Sequence, residues 1–398
     1  MNLGAGMIGA LRRKEEPVAR TGLILSGGGA RAAYQVGVLM ALAELVPRGS
    51  PNPFPIICGT SAGAINAAAL AVHASNFRMA VRGLERVWSN LTAEQVYRTE
   101  VWSFVKSLLR WALPAYLTGA TPVNSALLDS RPLERLLSLV INFQRIEQSI
   151  RRGELDALSI TASSYANGES VAFFQGRDDL EEWTRARRKG KRTRIALPHL
   201  LASSAIPILF PAQKVEDHYY GDGAVRQLAP ISPALHLGAT RVLVIGVSGN
   251  TSAGHQRQLQ AYPSMAQVLG HVLNSVFVDT LEGDVERLER INGTVAAIPE
   301  AVRQREGIGL KQVEVLKIYP SEPIDEIAAA HLHELPRALR FMLRGSGGTR
   351  SPGAAAVSYL LFQPGFCRRL IELGYRDATA REAEIRAFLA LSKQEQQA

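Results

Sequence analysis

Thr21-Gly-Leu-Ile-Leu-Ser-Gly-Gly-Gly-Ala-Arg31 and, further on, Phe54-Pro-Ile-Ile-Cys-Gly-Thr-Ser-Ala-Gly63 share one plan. A short apolar run ends in an abrupt glycine-rich turn, and small and apolar residues follow. Brief apolar runs bounded by turn residues read as buried strands, and strands alternating with helices build an α/β sheet covered on its faces. The pattern predicts strands from Thr21 to Ser26 and from Phe54 to Cys58, with helices from Ala32 to Leu45 and from Ala64 to Val72. Downstream, β-rich runs at Leu155 to Ser163 and Ser170 to Phe174 flank Asn167-Gly168, a strong hairpin signal. A helix is expected at Leu197 to Ser204, a tight Gly221-Asp222-Gly223 turn after Tyr219-Tyr220, and a buried strand at Arg241 to Val247.

The first turn has two readings. Gly27, Gly29 and Ala32 satisfy the dinucleotide fingerprint, which also demands an acidic residue at the end of the second strand to hold a ribose. That strand instead ends in Cys58-Gly59-Thr60-Ser61, which argues against a nicotinamide cofactor. Gly59-Thr-Ser-Ala-Gly63 fits G-x-S-x-G, where a sharp strand-to-helix bend exposes a serine hydroxyl. Gly59 and Gly63 are the small neighbours such an elbow needs, and the following helix dipole favours negative charge beside Ser61. With Ser61 as nucleophile, Gly27, Gly28 and Gly29 gain a role as an oxyanion turn, each donor worth ~3 kcal/mol to the transition state. Arg31, just inside the helix, reads as holding that turn or meeting a phosphate, with a solvated surface arginine as the plain alternative.

A serine hydroxyl needs a base. The chain has 8 histidines. His236, His271, His331 and His333 sit in ordinary helical or charged contexts, so none announces itself. Asp222, between two glycines, reads either as a turn former or as a carboxylate presented at a strand end.

Together these residues resemble the patatin-like phospholipases. Ser26-Gly-Gly-Gly-Ala-Arg31 looks like that family's oxyanion turn, Gly59-Thr-Ser-Ala-Gly63 with Ala64-Ile-Asn-Ala67 like its nucleophile motif, and Asp222-Gly223-Ala224 like its D-G-[GA] motif, in the family's order. The likeness takes in roughly residues 21 to 248. It implies a three-layer α/β/α fold with a mostly parallel central sheet and hydrolysis of acyl esters in phospholipids or other lipids. It also implies a Ser61 nucleophile, an Asp222 base, and no metal or cofactor. Two alternatives stay open: an α/β-hydrolase whose histidine lies after the acid, among His236, His255, His271, His331 and His333, and a catalytically silent lipid-binding protein of the same fold.

The 398 residues exceed what one core usually needs. We expect a lead-in at residues 1–20, a catalytic domain at 21–250, and a largely helical region at 251–398 containing one more strand near Val313 to Ile318. No run approaches the roughly 18 apolar residues of a membrane span. The charged residues Arg12, Arg13 and Lys14 follow the first apolar stretch instead of preceding it, and Asn2 replaces the glycine that myristoylation requires. With only Cys58 and Cys367, no disulfide framework is available and a cytoplasmic setting is expected. A net charge of +9 favours anionic surfaces. Two stretches are candidates for peripheral membrane contact, with nucleic acid not expected. One is the amphipathic Val101-Trp-Ser-Phe-Val-Lys-Ser-Leu-Leu-Arg-Trp-Ala-Leu113, whose alternative is a cap over an acyl pocket. The other is the basic run from Arg185 to Arg194, whose alternative is a solvated loop.

Overall fold

The computed structural model describes residues 20–98, 126–248, 262, 264–337, 339–340 and 354–391. The lead-in, the amphipathic stretch 101–113 and His255 lie outside them. The ten strands among the described residues are β1 (Thr21–Leu25), β2 (Ile56–Thr60), β3 (Ala157–Ser164), β4 (Ser170–Gly176), β5 (Trp183–Arg185), β6 (Arg188–Arg192), β7 (Gln213–Val215), β8 (His218–Asp222), β9 (Arg241–Ile245) and β10 (Glu314–Ile318). They join in the order β10-β9-β1-β2-β3-β4-β6-β5, with β8 on β3 and β7 on β8. From β10 to β3 every pairing is parallel; β3 to β4 is antiparallel, closing the expected hairpin. Its connection is longer than a two-residue turn, with the Gly168 N–H returning to the Ser164 carbonyl and Gly168 at φ +67°.

Strand alternation divides the core into two faces. Leu23, Leu25, Ile57, Leu243 and Ile245 point into one apolar cluster, together with helices α1 (Ala33–Leu45), α2 (Ala62–Val72) and α3 (Phe77–Trp88). Ile24, Ile56, Cys58, Val242 and Val244 point the other way, onto Ile231, Ala234, Leu281, Val285 and Leu288. Both faces are covered, as a sheet of near-continuous apolar strands requires. The result is a three-layer α/β/α fold.

Three expectations needed correction. The second strand runs to Thr60, because Phe54 and Pro55 precede the ladder and Gly59 and Thr60 belong to it. The basic run is no loop: β5 and β6 pair antiparallel through it. Arg192 there is drawn inward, over the Phe174 ring at 5.2 Å and onto the carbonyls of Gly176 and Arg177. The helical pattern after residue 262 is interrupted, since a π-helical turn at Ser275–Asp279 separates the helices Met265–Asn274 and Thr280–Ala297. The region after residue 250 also completes the sheet, β10 lying on β9, and the helix Pro364–Ala380 packs on α1. Among the described residues no helix is long and apolar enough to cross a membrane.

Candidate active site

Ser61 is the single residue between β2 and α2, at φ 54° and ψ −128°. That conformation is sparsely populated for a residue with a Cβ and stores on the order of 1–3 kcal/mol. The surroundings enforce it. A Cβ on Gly59 would strike the Gly63 carbonyl and the Ala64 backbone, and one on Gly63 would strike the carbonyls of Leu25 and Ser26, so both positions must be glycine for α2 to leave the strand this sharply. The Ser61 N–H donates to Ser203 Oγ at 2.9 Å, and Ser203 Oγ donates in turn to the Thr161 carbonyl at 2.6 Å.

Sheet register brings Asp222 to the same point. β2 pairs with β3 as far as Thr60 opposite Thr161, and there the chain turns away at Ser61. β8 takes up the vacated edge of β3 at the next position, with Asp222 opposite Ala162. The segment after Asp222 is tied down by Gln227, which accepts from Thr60 Oγ1 at 2.7 Å and donates to Thr161 Oγ1 at 3.1 Å. Asp222 is fully buried. Its Oδ1 accepts the Ala224 N–H at 2.9 Å, while Oδ2 has no hydrogen bond of full geometry among the described residues. Burial pushes this carboxyl up to about 7, and the adjacent Ser61 hydroxyl and the Ala224 N–H hold it from rising further.

The glycine turn stands beside them, a Cβ built on Gly27 falling 3.1 Å from that of Ser61. Gly29 sits at φ +55° with its Cα against the Tyr359 carbonyl. The Ala30 N–H donates to that carbonyl at 3.0 Å and the Arg31 N–H to the Gly28 carbonyl at 3.1 Å, whereas the N–H groups of Gly27, Gly28 and Gly29 have no acceptor among the described residues. Arg31 is neither solvated nor free to meet a substrate phosphate. At 2% exposure, its Nε donates to Ser358 Oγ at 2.7 Å and its guanidinium lies 4.1 Å over the Tyr359 ring. It clamps the turn to the segment 354–359.

From Ser61 and Gly29 an apolar cavity of about 340 Å³ runs along one face of α2, past Ile65, Ala69 and Val72 to His73, between α3 and the helix Arg131–Val140. That volume lies within the roughly 300–1,000 Å³ of small-molecule pockets. The 11 residue-to-residue steps from Ala62 to His73, at 1.5 Å each, give it a length of about 16 Å. Of the described histidines, His73 is at the far end of the cavity, His199 accepts the Ala196 N–H, His236 stacks on Trp183 at 4.8 Å, and His331 faces the Ile327 carbonyl.

The chain matches the family described as Patatin-like phospholipase over residues 23–235. It belongs to the patatin-like phospholipase family. It is also similar to triacylglycerol lipase 4 of Saccharomyces cerevisiae, 42% identical over 69 residues, a stretch that is 17% of this chain and 7% of the yeast protein. Among solved structures it is similar to human GIVD cytosolic phospholipase A2 in complex with methyl gamma-linolenyl fluorophosphonate, with 13% identity and a TM-score of 0.39 over 95% of this chain and 60% of that one. Within this patatin-like chain, Ser203, Gln227 and Gln35 are site residues that the motifs did not disclose. They reach the elbow from 142 residues away, the Thr60 hydroxyl from 167, and the Ser26 carbonyl from 9, and no fixed spacing marks such bonds in a sequence.

Proposed function

We propose that this protein hydrolyses fatty acyl esters of lipids through a Ser61–Asp222 dyad. The observation that carries the reading is a strained Ser61 whose hydroxyl adjoins the carboxyl of fully buried Asp222, at the head of an apolar cavity. The Asp222 carboxylate accepts the proton from Ser61 Oγ as that oxygen attacks the ester carbonyl. The carbonyl oxygen becomes an oxyanion facing the N–H groups of Gly27, Gly28 and Gly29, and the acyl chain lies along α2. Collapse breaks the ester bond, and the departing alcohol takes the proton from Asp222. Water then gives its proton to Asp222 and its hydroxyl to the acyl carbon, and Ser61 leaves with the proton restored as the fatty acid departs.

Anionic membrane contact is part of the same proposal. Arg188 lies in register with Ser170 and thus with Ser163, at the sheet end where β2 gives way to Ser61, and Arg185, Arg187 and Lys189 beside it are exposed. Fatty-acid release from phospholipids, lysophospholipids and glycerides, with Ser61→Ala as blank, tests the chemistry. Labelling of Ser61 by a fluorophosphonate supports it, and an Asp222→Asn variant that keeps the wild-type rate sinks it. Binding to vesicles containing phosphatidylglycerol that is unchanged by added salt and by Arg185→Glu with Arg187→Glu counts against the membrane contact.

A further inference from the structure

A chain of buried amides connects the cavity wall to the glycine turn. Trp88, which lines the cavity, donates its indole N–H to Asn66 Oδ1 at 2.8 Å. Asn66, in α2, donates from Nδ2 to Gln35 Oε1 at 2.9 Å. Gln35, in α1, donates from Nε2 to the Ser26 carbonyl at 2.8 Å and, more distantly, to the Ile245 carbonyl at 3.4 Å. Gln35 and Asn66 are both 0% exposed. The sense of every bond is dictated by its first member. An indole nitrogen can only donate, so Asn66 must offer its oxygen to Trp88 and its amino group to Gln35. Gln35 is left with its own amino group for Ser26.

The Ser26 carbonyl and the Gly27 N–H belong to one planar peptide, so holding the oxygen fixes the plane through which β1 enters the turn. The far end is held by the Ala30 N–H on the Tyr359 carbonyl. Between these two anchors lie the three N–H groups that have no acceptor among the described residues.

Building on the proposed hydrolytic reading, we propose that Gln35 is a positioning residue, oriented through Asn66 by Trp88, that holds the glycine turn in the geometry receiving the oxyanion. Because oxyanion contacts form in the transition state and not in the bound ester, Gln35 acts on kcat and not on KM.

Three variants test this. Gln35→Leu keeps the volume and loses the bonds to Ser26, Ile245 and Asn66; kcat falls about 10- to 100-fold, part of the 10²–10³ that a lost oxyanion donor costs, with KM within about twofold. A trifluoromethyl ketone carrying the same acyl chain loses affinity in parallel with kcat/KM, while a non-hydrolysable ether lipid binds as before. Gln35→Glu supplies the discriminating readout. As the neutral acid, Glu donates its O–H to Ser26 and accepts from Asn66, reproducing the two shorter native bonds and giving up only the 3.4 Å contact with Ile245; once ionised it has no donor. The ratio of its rate to wild type is near one at low pH and falls about tenfold or more as pH rises, whereas the Gln35→Leu ratio is flat with pH. Replacing Trp88 by 3-benzothienylalanine, which exchanges the indole N–H for sulfur and keeps the bicyclic ring in the cavity wall, lowers kcat severalfold with KM within about twofold and decides the matter if the Gln35 variants do not fold. Gln35→Leu with kcat within twofold of wild type overturns the inference, as does a fall of ether-lipid affinity matching that of kcat/KM with a flat Gln35→Glu ratio. Either result leaves fluorophosphonate labelling of Ser61 intact. An inert, unlabelled wild type instead overturns the hydrolytic reading and this role with it.

Discussion

As the proposed base, the buried Asp222 carboxyl is expected to make the rate and the stability of this protein depend on pH in opposite senses. The base form is the ionised one, and with the carboxyl titrating at about 7 it is populated to about 10% at pH 6, half at pH 7 and 90% at pH 8. Thus kcat/KM on a soluble short-chain ester rises about tenfold from pH 6 to pH 8 and levels off above. Stability runs the other way. Between the ordinary 3.8 and about 7 the folded chain keeps a proton that the unfolded chain has released. Unfolding free energy therefore falls as pH rises through this window. At 1.36 kcal/mol per pH unit the loss is at most about 4 kcal/mol, complete above pH 7 and absent below pH 4. Asp222→Asn keeps the Ala224 N–H bond and removes the charge. The variant is inactive, more stable than wild type by up to that amount at pH 8, and equal to it at pH 4. Urea unfolding at the two pH values, beside a pH–rate profile, reads both sides. A wild-type rate already at its plateau at pH 5, with no stability difference between the two proteins at pH 8, refutes a carboxyl that burial has raised.

Three further outcomes follow from local geometry. Ser61→Gly relieves the strained backbone that Ser61→Ala retains, and so exceeds the alanine variant in thermal unfolding by about 1–2 kcal/mol while both stay unlabelled by a fluorophosphonate. Gly29→Ala, at φ +55° with its new Cβ driven into the Tyr359 carbonyl, costs at least about 2 kcal/mol, whereas Gly293→Ala, where a Cβ meets nothing, gains up to about 1 kcal/mol. Ala69→Phe closes the cavity about 10 Å along α2 from Ala62, counting 7 residues of rise. An extended chain of single bonds covers about 1.2 Å per bond, so acyl chains beyond roughly eight carbons lose kcat/KM by tenfold or more while butyryl esters are spared; a palmitoyl ester turned over at the wild-type rate refutes the placement of the acyl chain.

Much of this fold and part of its site were legible in the sequence, and the boundary between the two is physical. Short apolar runs ending in glycine disclosed β1, β2 and their turns because part of the constraint is local: Gly59 must lack a side chain for its backbone to pass that of Gly63 and Ala64 a few residues on, while Gly63 must do so to pass Leu25 and Ser26 of β1 and its turn. The same locality made the turns at Ser61 and Asp222 readable as motifs. Their meeting was not readable from either, because it depends on register. β3 has a free edge beyond Thr161 only because β2 turns away at Ser61, and β8, more than 150 residues later, pairs there with Asp222 opposite Ala162. Arg31 illustrates the converse. A lone arginine beside a glycine turn carries no local sign of burial, and its clamp is Ser358 and Tyr359 in a segment to which the sequence assigned no chemistry. One hydrogen-bonded register thus turns two weak local signals into a single site, since the strand that ends to free a serine is the one whose place the aspartate's strand takes.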